Sequence, residues 1–166
     1  MILGMSISTF TLMHVILSLI GIFSGAIVLF GMFSSKKLDG WTALFLATTV
    51  LTSVTGFFFP FDKILPSHIV GVISLLVLAV AILALYVYRL VGAWRRIYVV
   101  SATVALYLNV FVGVVQAFQK LPFLKPLAPT QSEPPFLLTQ LVVLALFVML
   151  TVVAAIRFHN EQLGAA

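Results

Sequence analysis

The chain has 166 residues, only 8% of them charged, and a mean hydropathy of +1.26, more apolar surface than a soluble domain of this size can hide. A net charge of +5 raises nucleic acid as a partner in a soluble protein. Here the basic residues sit in short segments between apolar runs, so the positive-inside rule accounts for them, and the expected surroundings are a lipid bilayer with no nucleic acid. The absence of cysteine excludes disulfides, thiolate metal sites and cysteine nucleophiles.

Spanning a hydrocarbon core of roughly 30 Å takes about 20 apolar residues per helix. The first uncharged run, from Ser8 to Phe33, follows an N-terminus without the basic region of a secretory leader, so it reads as a retained first span. Further runs follow at 41–61, 67–88, 97–118 and 135–156. The expectation is an all-α integral membrane bundle of five transmembrane helices in up-and-down order, a single domain over 1–166, with a proline-rich outward loop at 119–134. Asp39, Ser67 and the pair Ser132 and Glu133 precede three of the spans as N-cap candidates.

Five crossings place Lys36, Lys37, Arg89, Arg95, Arg96 and Arg157 on one side and Lys63, Lys120 and Lys125 on the other. The richer side is expected in the cytoplasm, leaving the N-terminus periplasmic and the C-terminus cytoplasmic in a bacterial inner membrane. Trp41, Trp94, Tyr86, Tyr88 and Tyr98 cluster toward that cytoplasmic side as interfacial anchors.

Polar side chains within spans are costly unless they face a partner, so their helical phase is informative. Ala102, Ala105, Asn109, Gly113 and Gln116 recur at intervals of three or four on one face of the fourth span. His14, Ser18, Gly21 and Gly25 do so on the first, and "GIFSG" is a G-x-x-x-G that admits a close neighbour. Two further stripes, Thr48, Thr52 and Thr55, and Thr49, Ser53 and Gly56, mark the second. Their simplest reading is tight packing, with hydroxyls bonded back to their own helix.

Counted at about 1.5 Å per residue, His14 lies on the order of 9 Å and Gln140 roughly 8 Å below the outward boundary, with Gln116 and His68 shallower and Asn109 nearer the middle. These five residues, from four helices, define an expected polar pocket in the outer half of the bundle. Three readings compete. In the first, the cluster is structural, and the chain is a non-catalytic accessory or interaction subunit of a homo-oligomer or a larger membrane complex. In the second, His14 and His68 hold haem b, or histidine and amide side chains hold a quinone. In the third, His14, His68, Asp62 and Glu133 supply a divalent-metal site, although Pro66 interrupts the helix that would pair Asp62 with His68.

No H-E-x-x-H, Walker A, G-x-S-x-G or G-x-G-x-x-G motif occurs, and no carboxylate falls within a span, which leans against an enzyme. A small proton-driven transporter ranks below the other readings, because only His14 could serve as an intramembrane relay. The loop "QKLPFLKPLAPTQSEPPF", Gln119 to Phe136, holds five of the seven prolines. It is expected to fold as a stiff lid, with Thr130, Gln131 and Glu133 near the pocket mouth.

The stretches "LDGWTALFLATTVLTSVTGFFFPF", "NVFVGVVQAFQK" and "APTQSEPPF" resemble segments that recur in an uncharacterised family of small multi-pass bacterial inner-membrane proteins, over most of the chain. The resemblance implies that setting and carries no activity with it.

Overall fold

Apolar runs without internal proline fold as long helices, and the computed structural model, which describes residues 1–60 and 66–159, is 79% helix with no strands among them. The helices are α1 (Ile7–Phe33), α2 (Asp39–Gly56), α3 (Pro66–Ile82), α4 (Ala93–Lys120) and α5 (Pro134–Arg157). Four are long and apolar enough to cross a membrane: α1, α3 together with its continuation to Val87, α4 and α5. The exception is α2, whose 18 residues include Asp39 and five threonines.

Each boundary has a local cause. Ser6 caps α1 by accepting the Thr9 amide at 3.1 Å. α2 stops at Gly56, five residues short of the expected end, because Pro60 disfavours helical backbone in the residue before it and the chain has already turned through Phe57 and Phe58. The last turn of α3 widens into a π-helix at Leu83–Val87, where the Tyr88 amide reaches back to the Leu83 carbonyl at 2.9 Å. Gly92, at φ +57°, then resets the backbone, and α4 starts one turn earlier than its apolar run.

The three expected caps resolve differently. Asp39 lies inside the first turn of α2 rather than before it and forms an exposed pair with Lys37 at 3.5 Å. A pair so exposed adds little stability. Ser67 lies within α3, which begins at Pro66. Glu133 occupies the cap position of α5 but turns its carboxylate back into the preceding loop.

Consecutive helices run antiparallel, and α1 to α4 close a ring in which α1 packs on α2, α2 on α3, α3 on α4 and α4 on α1. α5 stands outside this ring against α4 and α1. The glycines of "GIFSG" set the closest approaches. A Cβ on Gly25 would stand 2.7 Å from Leu106 Cδ1 and 2.8 Å from the Phe45 ring, so only glycine fits there without displacing a neighbour.

At one end of the bundle, here the arginine end, Ser35 donates to the Arg157 carbonyl at 2.6 Å and receives the His159 amide at 2.9 Å. This half is close-packed: Val28, Leu29 and Met32 of α1 meet Phe45 and Leu46 of α2, Leu78 and Ala81 of α3, and Val99, Ala102 and Leu106 of α4. Tyr98 is 2% exposed within this core, so it is not an interfacial anchor as its position in the sequence implied; Trp41, Tyr86 and Tyr88 do reach the surface. At the opposite, strap end, residues 121–133 fold onto the ends of their own helices, with Ala128 buried between Phe118 of α4 and Phe136 of α5.

Candidate functional site

At the strap end the ring of four helices does not close. It encloses a cavity of about 530 Å³, within the range of small-molecule sites. α1 contributes Thr11, His14 and Ser18; α2 contributes Thr49, Thr52, Ser53 and Gly56; α3 contributes His68, Gly71 and Ser74. α4 contributes Asn109, Gly113, Gln116 and Lys120. The turn after α2 adds Phe57, Phe59 and Pro60.

Four of the five expected pocket residues, His14, His68, Asn109 and Gln116, thus share one cavity. Gln140 does not. It lies on α5, outside the ring, where its amide donates to the Phe111 carbonyl at 3.2 Å. Phe111 is two positions from both Asn109 and Gly113, hence on the opposite side of α4. Gln140 therefore faces away from the cavity.

The strap does not cover the cavity either. None of residues 121–133 lines it. Glu133 instead accepts from the Thr130 amide and hydroxyl at 3.0 and 2.8 Å and from the Ser132 amide at 3.1 Å, closing a tight loop. Desolvation pushes this carboxyl up, but the hydrogen bonds from the Thr130 hydroxyl and the backbone amides together outweigh it and hold the group below its ordinary value. Gln131 bends back onto the Ala128 carbonyl. The place expected for a lid is taken by aromatic rings: Phe59 packs edge-on against both Phe10, at 5.1 Å, and His14, at 5.2 Å. Phe57 lies over His68 with centroids 5.7 Å apart.

Most hydroxyls on the lining behave as the packing reading expects. Thr52 and Ser53 donate to the carbonyls of Thr48 and Thr49, four residues earlier. Two threonines do more. Thr55 donates to the Leu51 carbonyl at 2.7 Å while its oxygen lies 2.8 Å from His14 Nδ1. A hydroxyl carries one proton, so both contacts are satisfied only if His14 Nδ1–H donates to Thr55. In the neutral ring, Nε2 is then an acceptor. Thr49, 2% exposed, has a buried hydroxyl with no hydrogen-bond partner.

That hydroxyl lies at a tight approach of α2 and α4 to Gly21 of α1. A Cβ on Gly21 would lie 3.0 Å from Thr49 Oγ1, 3.0 Å from Asn109 Nδ2 and 3.3 Å from Thr48 Oγ1. Asn109 is held there by α1: Ser18 donates to its Oδ1 at 2.8 Å, and its Nδ2 makes only a long 3.4 Å contact to the Ser18 carbonyl. The sequence stripes contained Thr49 and Thr55, but spacing could not separate a self-bonded threonine from one that orients a histidine or lacks a partner.

For a metal, the donors do not converge. Among the described residues no group of three or more histidine and carboxylate side chains comes together. Glu133 is engaged within the strap, and Asp62 lies outside the described residues. The cavity offers instead an acceptor at His14, amides at Asn109 and Gln116, an ammonium at Lys120 and aromatic walls, a lining suited to an amphipathic ring. No family model, curated protein or solved structure matches the chain.

Proposed function

We propose that the chain is a small polytopic subunit of a bacterial inner membrane, without chemistry of its own, that binds a quinone-type ring in its four-helix cavity. The observation that carries this reading is His14. Its Nδ1 is anchored on Thr55, so its Nε2 can serve a ligand in a chamber that also offers amides, hydroxyls and aromatic walls. The single experiment is extraction of the protein, purified in mild detergent, into organic solvent, followed by chromatography and mass spectrometry. A quinone approaching one per chain is expected; a lipid extract without quinone contradicts the reading.

Haem b is the second reading, because an axial imidazole also needs its Nε2 open, and because α1 and α3 contribute His14 and His68 to the same cavity. The visible spectrum of the same preparation separates the two. A Soret band lost in both His14→Ala and His68→Ala favours haem.

Five crossings, with the N-terminus outside, complete the proposal. α2 and its turn extend from Leu38, packed on Gly31 of α1, to Phe59, packed on Phe10 near the start of α1, which supports α2 as a short fifth span. Reporter fusions at the two termini test this. Five spans put them on opposite sides of the membrane, and the same side would leave α2 uncrossed.

A further inference from the structure

The hydrogen-bonding polarity of the cavity, resting on the quinone reading above, selects one redox form of the ring. We infer that the cavity binds the hydroquinone in preference to the quinone, with one hydroxyl donating to His14 Nε2.

His14 sets the polarity. Its only ring proton is committed to Thr55, whose own proton is committed to Leu51, so Nε2 can accept but cannot donate. A quinone carbonyl is also only an acceptor. Placed at Nε2 it would lose its bonds to water and gain none, whereas a hydroquinone hydroxyl supplies the missing donor.

Phe57 and Phe59 flank the ring, and an isoprenoid tail would leave toward lipid.

The test compares a short-chain ubiquinol, kept reduced under anaerobic conditions, with the same ubiquinone, each titrated calorimetrically into the detergent-purified full chain. The expected result is tighter binding of the ubiquinol by roughly tenfold or more, the worth of one satisfied hydrogen bond against one unmatched acceptor. Thr55→Val removes the acceptor of the Nδ1 proton and frees the other tautomer. It is expected to collapse the ratio toward one while both forms still bind.

Equal affinities in the unaltered protein, or tighter binding of the ubiquinone, overturn the inference and leave the quinone pocket standing. Binding of neither form overturns the pocket itself. The ¹⁵N chemical shifts of the His14 ring, recorded on the unaltered chain, decide independently of any variant: a protonated Nδ1 is expected, and a proton on Nε2 overturns the inference.

Discussion

The arginine half and the strap half of the bundle are built from the same four helices, yet one is a packed core and the other holds a cavity. Every helix changes character at about the same level. α1 passes from Val28, Leu29 and Met32 to Ser18 and His14, and α2 from Phe45 and Leu46 to Thr49 and Ser53. α3 passes from Leu78 and Ala81 to Ser74, Gly71 and His68, and α4 from Leu106 and Ala102 to Asn109, Gly113 and Gln116. In lipid there is no hydrophobic force to pull helices together, so where side chains interdigitate the bundle is held by dispersion, and where they are small the helices leave room. A cavity here needs no special backbone, only a coordinated switch in side-chain size.

The largest effect that separates the halves is expected from truncating the core. Phe45, 1% exposed, meets α1 and α4, and Phe45→Ala is expected to cost about 3–5 kcal/mol in reversible unfolding from detergent micelles. Val112→Ala, which enlarges a space already present, is expected to cost under roughly 1 kcal/mol. Equal losses would mean that the cavity wall is packed as tightly as the core.

Glycine sharpens the contrast, because the same substitution is expected to have opposite signs in the two halves. Gly25→Ala puts a methyl group against Leu106 and Phe45 and is expected to destabilise by about 1–3 kcal/mol. Gly113→Ala meets only Ile22 Cδ1, at an ordinary 3.7 Å, and is expected to be neutral or to stabilise by up to about 1 kcal/mol through lower backbone entropy in the unfolded chain. Both are read in the same unfolding experiment.

The smallest effect belongs to the strap. A carboxyl held below its ordinary value stabilises the folded loop above that value, and the stabilisation is lost as the pH falls through the depressed one. Protection of the Thr130 and Ser132 amides from hydrogen exchange is therefore expected to fall as the solution is acidified below pH 4.5. Glu133→Gln is expected to abolish that pH dependence while leaving ligand binding unchanged, since the strap does not line the cavity.

Much of this was legible in the sequence, because helix ends obey local rules and phase along a helix is arithmetic. The limits of α1 and α5 fall within one residue of their apolar runs, and the polar stripes of α1 and α4 do face each other through Ser18 and Asn109. What failed depended on the arrangement between helices. Gln140 was grouped with the cluster by its place along α5, but no one-dimensional pattern says that α5 stands outside the ring. The strap was read as a lid because it emerges beside Gln116, yet burying Ala128 between Phe118 and Phe136 draws it over its own helix pair. The assignment of the His14 proton needed the position of one hydroxyl, Thr55, which spacing alone cannot supply.

The central claim is that the strap half holds a ligand-accessible cavity and the arginine half does not. The chain has no cysteine, so single cysteines can be placed without background. Ser18→Cys lies on the cavity wall and Ala102→Cys in the core, both within helices. The most direct measurement is the rate at which a small, charged thiol reagent modifies each in membrane vesicles, with and without a short-chain ubiquinol. The account predicts rapid modification at position 18 that the ubiquinol slows, and none at position 102. Equal rates at the two positions, or modification at 18 that the ubiquinol leaves untouched, would contradict it.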